Sequence, residues 1–170
     1  MSITRIVLFC YARLKSIRLK LLKMYDKNSI IQTLKSKGLR VTPQRFAVYT
    51  NLLNRTDHPT AEQILSDLNQ DVPTLSQATI YLSLQTLQEV GLVRQVLLEE
   101  GVCRYDANIS PHHHFRCQCC GKIEDIPWDA FSNLTLNGVR SGLKVAKYEV
   151  IVEGRCDRIS CNTSHLKPNT

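Results

Sequence analysis

From Tyr25 onward the apolar positions recur at helical spacing. Ile30, Ile31 and Leu34 form one stripe, and Gly38 closes the run where the chain needs a left-handed residue. Thr42 followed by Pro43 starts a second helix, because the hydroxyl can cap an orphan backbone N–H while proline's missing donor costs nothing in the first turn. Phe46, Val48, Leu52 and Leu53 supply its apolar face. In TAEQILSDL, Thr60 and Gln63 have the spacing of a capping box, with Ile64, Leu65 and Leu68 on the side to be buried. Pro73 interrupts the pattern, and Ser76 opens SQATIYLSLQTLQEVGLV, where Ile80, Leu84 and Leu87 share a face and Gly91 ends the helix. The period then shortens: Leu92 to Leu98 has strand character, Glu99-Glu100-Gly101 is a turn, and Val102 to Tyr105 is a returning strand.

Two helices joined by a short turn, followed at once by a β-hairpin, predict a winged helix-turn-helix. The start of the second helix carries Ser76, Gln77, Thr79 and Tyr81, the end that such a motif inserts into the DNA major groove. Arg94 and Arg104, on the hairpin, are candidates for phosphate contacts that position the protein without specifying sequence. The plainer alternative is a helical hairpin with a polar exposed face.

The chemistry concentrates in PHHHFRCQCCGKIED, Pro111 to Asp125. Cys117 and Cys120, at C-x-x-C spacing with Gly121 behind them, can grip one zinc ion from a tight turn. A closed zinc site needs four ligands, and Cys156 and Cys161 are the available second pair. The alternative is a set of buried free thiols. In an extended segment His112 and His114 share a face while His113 looks away. Two imidazoles in that arrangement, with Asp125 following, suit an ion that accepts mixed nitrogen and oxygen ligands, such as iron(II), manganese or zinc. A solvated polar loop would carry the same letters without the chemistry.

The 170 residues suit one domain or two small ones. The net charge of +7 suggests nucleic acid, but six of those charges lie in residues 1–23 with no acidic residue among them, leaving about +1 elsewhere. Any case for DNA binding therefore rests on placed residues. The basic leader has an apolar run at Ile6 to Ala12 that is too short to span a bilayer, and its charge follows the run where a secretory signal would lead with it. A basic amphipathic helix on a membrane surface is one reading; a translation start at Met24, or an unstructured tail, is the simpler one. Seven cysteines without a secretory signal point to a reducing compartment and a cytoplasmic protein, with Cys10 and Cys103 as packing residues.

GLRVTPQR (38–45), HPTAEQI (58–64), TLSQATIYLSLQTLQEVGLV (74–93), CRYD (103–106), HHHFRCQCCGKIEDI (112–126) and EVIVEGRC (149–156) together resemble the ferric uptake regulator family of metal-dependent bacterial repressors. They follow the family's order and spacing from Met24 to Cys161. The resemblance implies an α+β protein: a winged-helix DNA-binding domain over 24–106, a hinge at 107–111, a small α/β dimerisation domain over 112–161 and a tail at 162–170. The homodimer would grip an AT-rich palindrome in double-stranded DNA. A helix from Pro127 and Trp128 to about Gly142 and a strand from Val145 to Val152 are expected to complete the small domain.

Carried over by position, structural zinc falls on Cys117, Cys120, Cys156 and Cys161. The family's second pair is usually also C-x-x-C, so Cys161 is the ligand in question, with Cys119 or His165 as substitutes. The regulatory iron or manganese falls on His58 and Asp106 from the DNA-binding side and on His112, His114 and Asp125 from the other, so that the ion closes the hinge. Peroxide-sensing relatives resemble this chain in carrying Asp at the position of Asp125, whereas iron sensors typically carry Glu. The resemblance thus implies a repressor relieved when bound iron and peroxide oxidise a ligand histidine, with an iron- or zinc-responsive uptake regulator as the alternative. A further metal site of some relatives is expected to be absent, because Pro111 and Lys147 or Tyr148 stand where they carry histidines. Leu82 follows Tyr81 where relatives often carry Arg or Asn. A zinc enzyme such as a nucleobase deaminase fits poorly: Phe115 and Arg116 precede Cys117, and no Glu stands two residues after any of the three histidines. A zinc-stabilised interaction module would leave the helix-turn-helix unexplained.

Overall fold

The computed structural model describes residues 25–71, 75–99, 101–134, 139–140, 142–158 and 161. The basic leader, the tail and His165 lie outside them.

Local signals set the helices. Helix α1 (Lys27–Ser36) buries Ile30 and Leu34, one turn apart, and the chain reverses at Gly38, whose φ of +73° suits glycine. In α2 (Pro43–Leu53) the Thr42 side chain accepts a hydrogen bond from Arg45 N, and Val48, Tyr49 and Leu52 face inward. Helix α3 (Ala61–Asp71) begins with both halves of the capping box: Thr60 N donates to Gln63 Oε1 at 2.9 Å, and Gln63 N donates to Thr60 Oγ1 at 3.3 Å. Between α3 and α4 (Gln77–Glu89) the Asn69 amide bonds both the N–H and the C=O of Leu75, and Ser76 caps α4 by accepting from Thr79 N. Ile80, Leu84 and Leu87 of α4 are fully buried against the other helices.

The hairpin β1 (Arg94–Glu99) and β2 (Val102–Asp106) follows in antiparallel register, with Arg94 opposite Asp106. Tyr105 N donates to Pro59 O at 3.0 Å, which ties the end of the hairpin to the loop before α3. This is the winged-helix arrangement. A second sheet is built on β3 (His112–Cys117), with β4 (Ile123–Pro127) antiparallel on one side and β5 (Ile151–Gly154) parallel on the other. The architecture is α+β.

Two expectations need correction. The strand expected over 145–152 begins only at Ile151, because the Val150 N–H is taken by His113 Nδ1 at 3.1 Å and cannot extend the ladder. The helix expected from Pro127 to about Gly142 is a single 3₁₀ turn, Trp128–Phe131, among the described residues. Pro127 still belongs to β4 and offers no side-chain cap, so the orphan N–H groups of a longer helix have no local partner.

Candidate metal centres

The small sheet brings four cysteines together. Cys117 ends β3, Cys120 lies in the turn that Gly121 closes at φ +67°, and Cys156 follows β5 by two residues. With Cys161 they form a group whose sulfurs lie within 4.8 Å of one another. The measured separations are 3.8 Å for Cys117–Cys161, 3.6 Å for Cys120–Cys156 and 3.4 Å for Cys156–Cys161. Tetrahedral zinc with Zn–S bonds of about 2.3 Å sets sulfurs about 3.8 Å apart, so the cage is of the right size. Backbone N–H groups of Cys120 and Cys156 point at the Cys117 sulfur and hold its thiol down at about 6, the direction a metal-binding thiolate requires. Contact with the Cys119 thiol, then burial, then the thiols of Cys156, Cys120 and Cys117 drive Cys161 upward. Cys161 is completely buried and belongs to this group of four, of which Cys119 is not a member. The doubled spacing between Cys156 and Cys161 therefore still delivers the second pair.

The second group is assembled from both parts of the chain. His58, Asp106, His112 and His114 are all buried, with candidate ligand atoms within 4.8 Å of one another. His58 reaches the group from the loop between α2 and α3. Arg55 grips Asp57 through two hydrogen bonds of 2.8 and 2.6 Å and also pairs with Asp67 on α3, which fixes that loop. His58 has φ +51°, the one non-glycine residue with positive φ among the described residues, and it precedes Pro59. Holding it there costs about 1–3 kcal/mol, strain of the kind that accumulates at functional sites. Asp106 ends β2, and its Oδ1 accepts from Asn108 N at 2.7 Å.

Alternation along β3 turns His112 and His114 to one face and His113 to the other. His113 stacks on Trp128 with ring centroids 4.6 Å apart, and is a packing residue. Ser110 O accepts from His112 Nδ1 at 2.8 Å, and the Glu149 carboxylate takes His114 Nδ1, leaving the Nε2 atoms to face the group. These atoms converge: His114 Nε2 is 3.1 Å from His58 Nε2 and 3.2 Å from His112 Nε2. Burial, with the neighbouring imidazoles, lowers His114 despite Glu149, which favours a neutral ring with its lone pair available.

Asp125 lies across β3 from His114 in register, its Oδ1 3.1 Å from His58 Nε2 and 3.6 Å from His112 Nε2. Burial alone would raise its pKa, but hydrogen bonds with His58 and Asn108 and the nearby imidazoles hold it at about 2, so it is a carboxylate. All five residues expected for the regulatory ion thus meet. Three imidazoles and two carboxylates are a donor set suited to iron(II), manganese or zinc. A guanidinium already lies against it: Arg94 Nε donates to Asp106 Oδ2 at 3.0 Å, and Nη2 rests on His112 Nε2. The site is built to hold positive charge.

That placement corrects the expectation for the wing. Arg94 and Arg104 were expected to face phosphates, but Arg94 turns inward to Asp106, and Arg104 Nη1 donates to His58 O at 3.2 Å. Ser76, Gln77, Thr79 and Tyr81 do gather at the exposed start of α4. Sequence reasoning missed Glu62, whose Oε1 accepts from the Tyr81 hydroxyl at 2.8 Å and from Gln77 Nε2 at 3.5 Å. It also missed Asn108, although Asp106 itself is the kind of residue that accepts from the backbone N–H two positions on. Glu149, 35 residues from His114, left no local signal.

A sequence model of the ferric uptake regulator family matches residues 36–153. The chain is 33% identical over 142 residues to the peroxide operon regulator of Bacillus subtilis, covering 83% of this chain and 98% of that protein. It is 36% identical over 110 residues to the peroxide-responsive repressor PerR of Staphylococcus aureus, covering 65% and 74%. Among solved structures, the ferric uptake regulator of Helicobacter pylori superposes with a TM-score of 0.66 at 21% identity, covering 85% of this chain and 99% of that one. The ferric uptake regulator of Francisella tularensis with iron gives 0.63 at 23% identity, covering 74% and 96%. These two likenesses speak to the fold.

Proposed function

The chain belongs to the ferric uptake regulator family, and from that premise we propose that it is a metal-dependent transcriptional repressor relieved by hydrogen peroxide. The observation that carries the reading is the convergence of His58 and Asp106 with His112, His114 and Asp125, groups from either side of residues 107–111. The names of the B. subtilis and S. aureus relatives, both peroxide regulators, supply the signal.

Two ions have separate roles. Cys117, Cys120, Cys156 and Cys161 would hold zinc, which would tie the small sheet together and with it the homodimer. Iron(II) or manganese at the five-residue group, when bound, supplies positive charge and, for iron, electrons that reduce peroxide. The chain does the rest. His58 and Asp106 are anchored to the winged-helix part and the other three to the sheet, so residues of both parts would hold the ion and its binding would favour one orientation of the two. That orientation sets the two recognition helices of a dimer at the spacing of a palindromic, AT-rich operator. A coupling of about 1–3 kcal/mol would change operator affinity roughly 5- to 150-fold. Ser76, Gln77, Thr79 and Tyr81 read the groove, with Glu62 orienting Tyr81 and Gln77. Among the described residues no helix is long and apolar enough to cross a membrane.

Relief follows from where the imidazoles stand. One peroxide oxygen enters a ring C–H of His58 or His112, the other leaves as water, and the altered ring no longer donates its lone pair to the ion. The two parts are then free to reorient and operator binding falls. Mass spectrometry after mild peroxide tests this: the iron-loaded protein should gain one oxygen atom on His58 or His112, and the manganese-loaded protein none. Asp125→Glu should keep metal-dependent operator binding and lose the oxidation. Equal inertness of both metal forms would leave a plain iron-responsive regulator.

A further inference from the structure

Arg94 opens β1 directly across the hairpin from Asp106, and its side chain is 16% exposed. Its Nε donates to Asp106 Oδ2 at 3.0 Å, while Nη2 lies against His112 Nε2 and 3.3 Å from His114 Nε2. These three acceptor atoms come from residues of the buried group suited to a cation. A guanidinium has donors only and keeps its charge throughout the accessible pH range, so it cannot join the site as a ligand. It satisfies the same lone pairs that an ion would use. An ion bonded to His112 and His114 at about 2.0–2.1 Å would occupy the space that Nη2 fills, and like charges would repel at that range. The guanidinium and the ion are therefore alternatives.

We propose that Arg94 is an internal competitor for the regulatory metal site, a tethered cation that must withdraw before the ion binds and so sets the metal concentration at which the protein responds. This rests on the metal-site reading above and adds to it a residue that tunes affinity without being a ligand. Competition has a simple arithmetic: if the guanidinium holds the site about nine-tenths of the time, apparent metal affinity is lowered about tenfold. It also gives the wing a part in the switch. Arg94 is the first residue of β1, so its withdrawal moves a positive charge from the pocket toward the surface of the hairpin as the ion enters.

The sign of the effect separates a competitor from a structural brace. Were Arg94 merely orienting Asp106, its loss would loosen the site and weaken metal binding; as a competitor, its loss strengthens binding. The test is calorimetric titration of manganese(II) into the full-length, zinc-loaded protein, with thermal unfolding recorded in the absence and presence of manganese. Arg94→Met is expected to bind manganese about tenfold more tightly than the parent, and Arg94→Lys, which keeps a tethered charge, within about threefold of it. Without manganese Arg94→Met should melt earlier than the parent, because Asp106 loses its partner, and saturating manganese should close the gap. Equal or weaker binding by Arg94→Met overturns the proposal. His112→Ala distinguishes the two levels: it should abolish this binding event, and if it binds as the parent does, the metal-site reading falls and the competitor with it.

Discussion

The two parts of the molecule are held together by different physics. Among the described residues, the helices and hairpin enclose thirteen that are buried and apolar, from Ile30 to Tyr105, in one continuous core. The three-stranded sheet has no comparable interior among the described residues: its buried cluster is Cys117, Cys156 and Cys161, with Phe115 packed against them. At about 25 cal/mol per Å² of apolar surface, the first part can be stabilised by exclusion of water, whereas the second has four clustered cysteines that could supply sulfur–metal bonds instead. Small units that cannot bury enough surface commonly depend on a metal in this way. On the proposed reading, the helical part is therefore autonomous and the sheet is conditional on its ion.

The largest test of that contrast is zinc removal. Structural zinc contributes an apparent binding energy of about 10–16 kcal/mol, more than a sheet this small can lose. Cys117→Ser, or chelation of the parent, should disorder the sheet and dissociate the dimer while the helices persist. Trp128, the sole tryptophan, stands at the end of β4, so its fluorescence reports the sheet, and far-ultraviolet circular dichroism reports the helices. Joint collapse of both signals would break the comparison. A smaller effect, from the other side, comes from Leu84→Ala, which opens a cavity in the helical core at a cost of about 3 kcal/mol. Urea unfolding should show that loss while zinc content stays unchanged; zinc released along with the helices would mean a single cooperative unit. Smallest is Thr60→Ala, which removes half of the capping box and should cost about 1 kcal/mol, confined to the helical transition.

What could be read from the sequence follows the range of the interaction. Thr42, Thr60 with Gln63, and Ser76 cap their helices as expected, because cap and donor are three residues apart. The hairpin and the outward turn of His113 were equally legible, since alternation is a local property of a strand. His58 and Asp106 were reached only through family resemblance. A lone histidine before a proline and a lone aspartate after a tyrosine carry no periodic signal, and they meet His114 only in the folded chain. Arg94 and Glu149 were misjudged or missed for the same reason, lying 18 and 35 residues from the histidines they touch. The late strand failed differently: Val145 to Val152 has the composition of a strand, but the His113 ring competes for the Val150 N–H and delays the ladder.

Strand β3 is a ruler whose far end is nailed down. Cys117 fixes the last mark in the sulfur cage, and counting back along the pleat decides which imidazoles come up even and which odd. A single residue inserted between His114 and Cys117 would swap the faces, turning His113 toward the pocket and His112 and His114 toward Trp128. An ion held by those cysteines would thereby dictate, without touching them, which imidazoles face the other group.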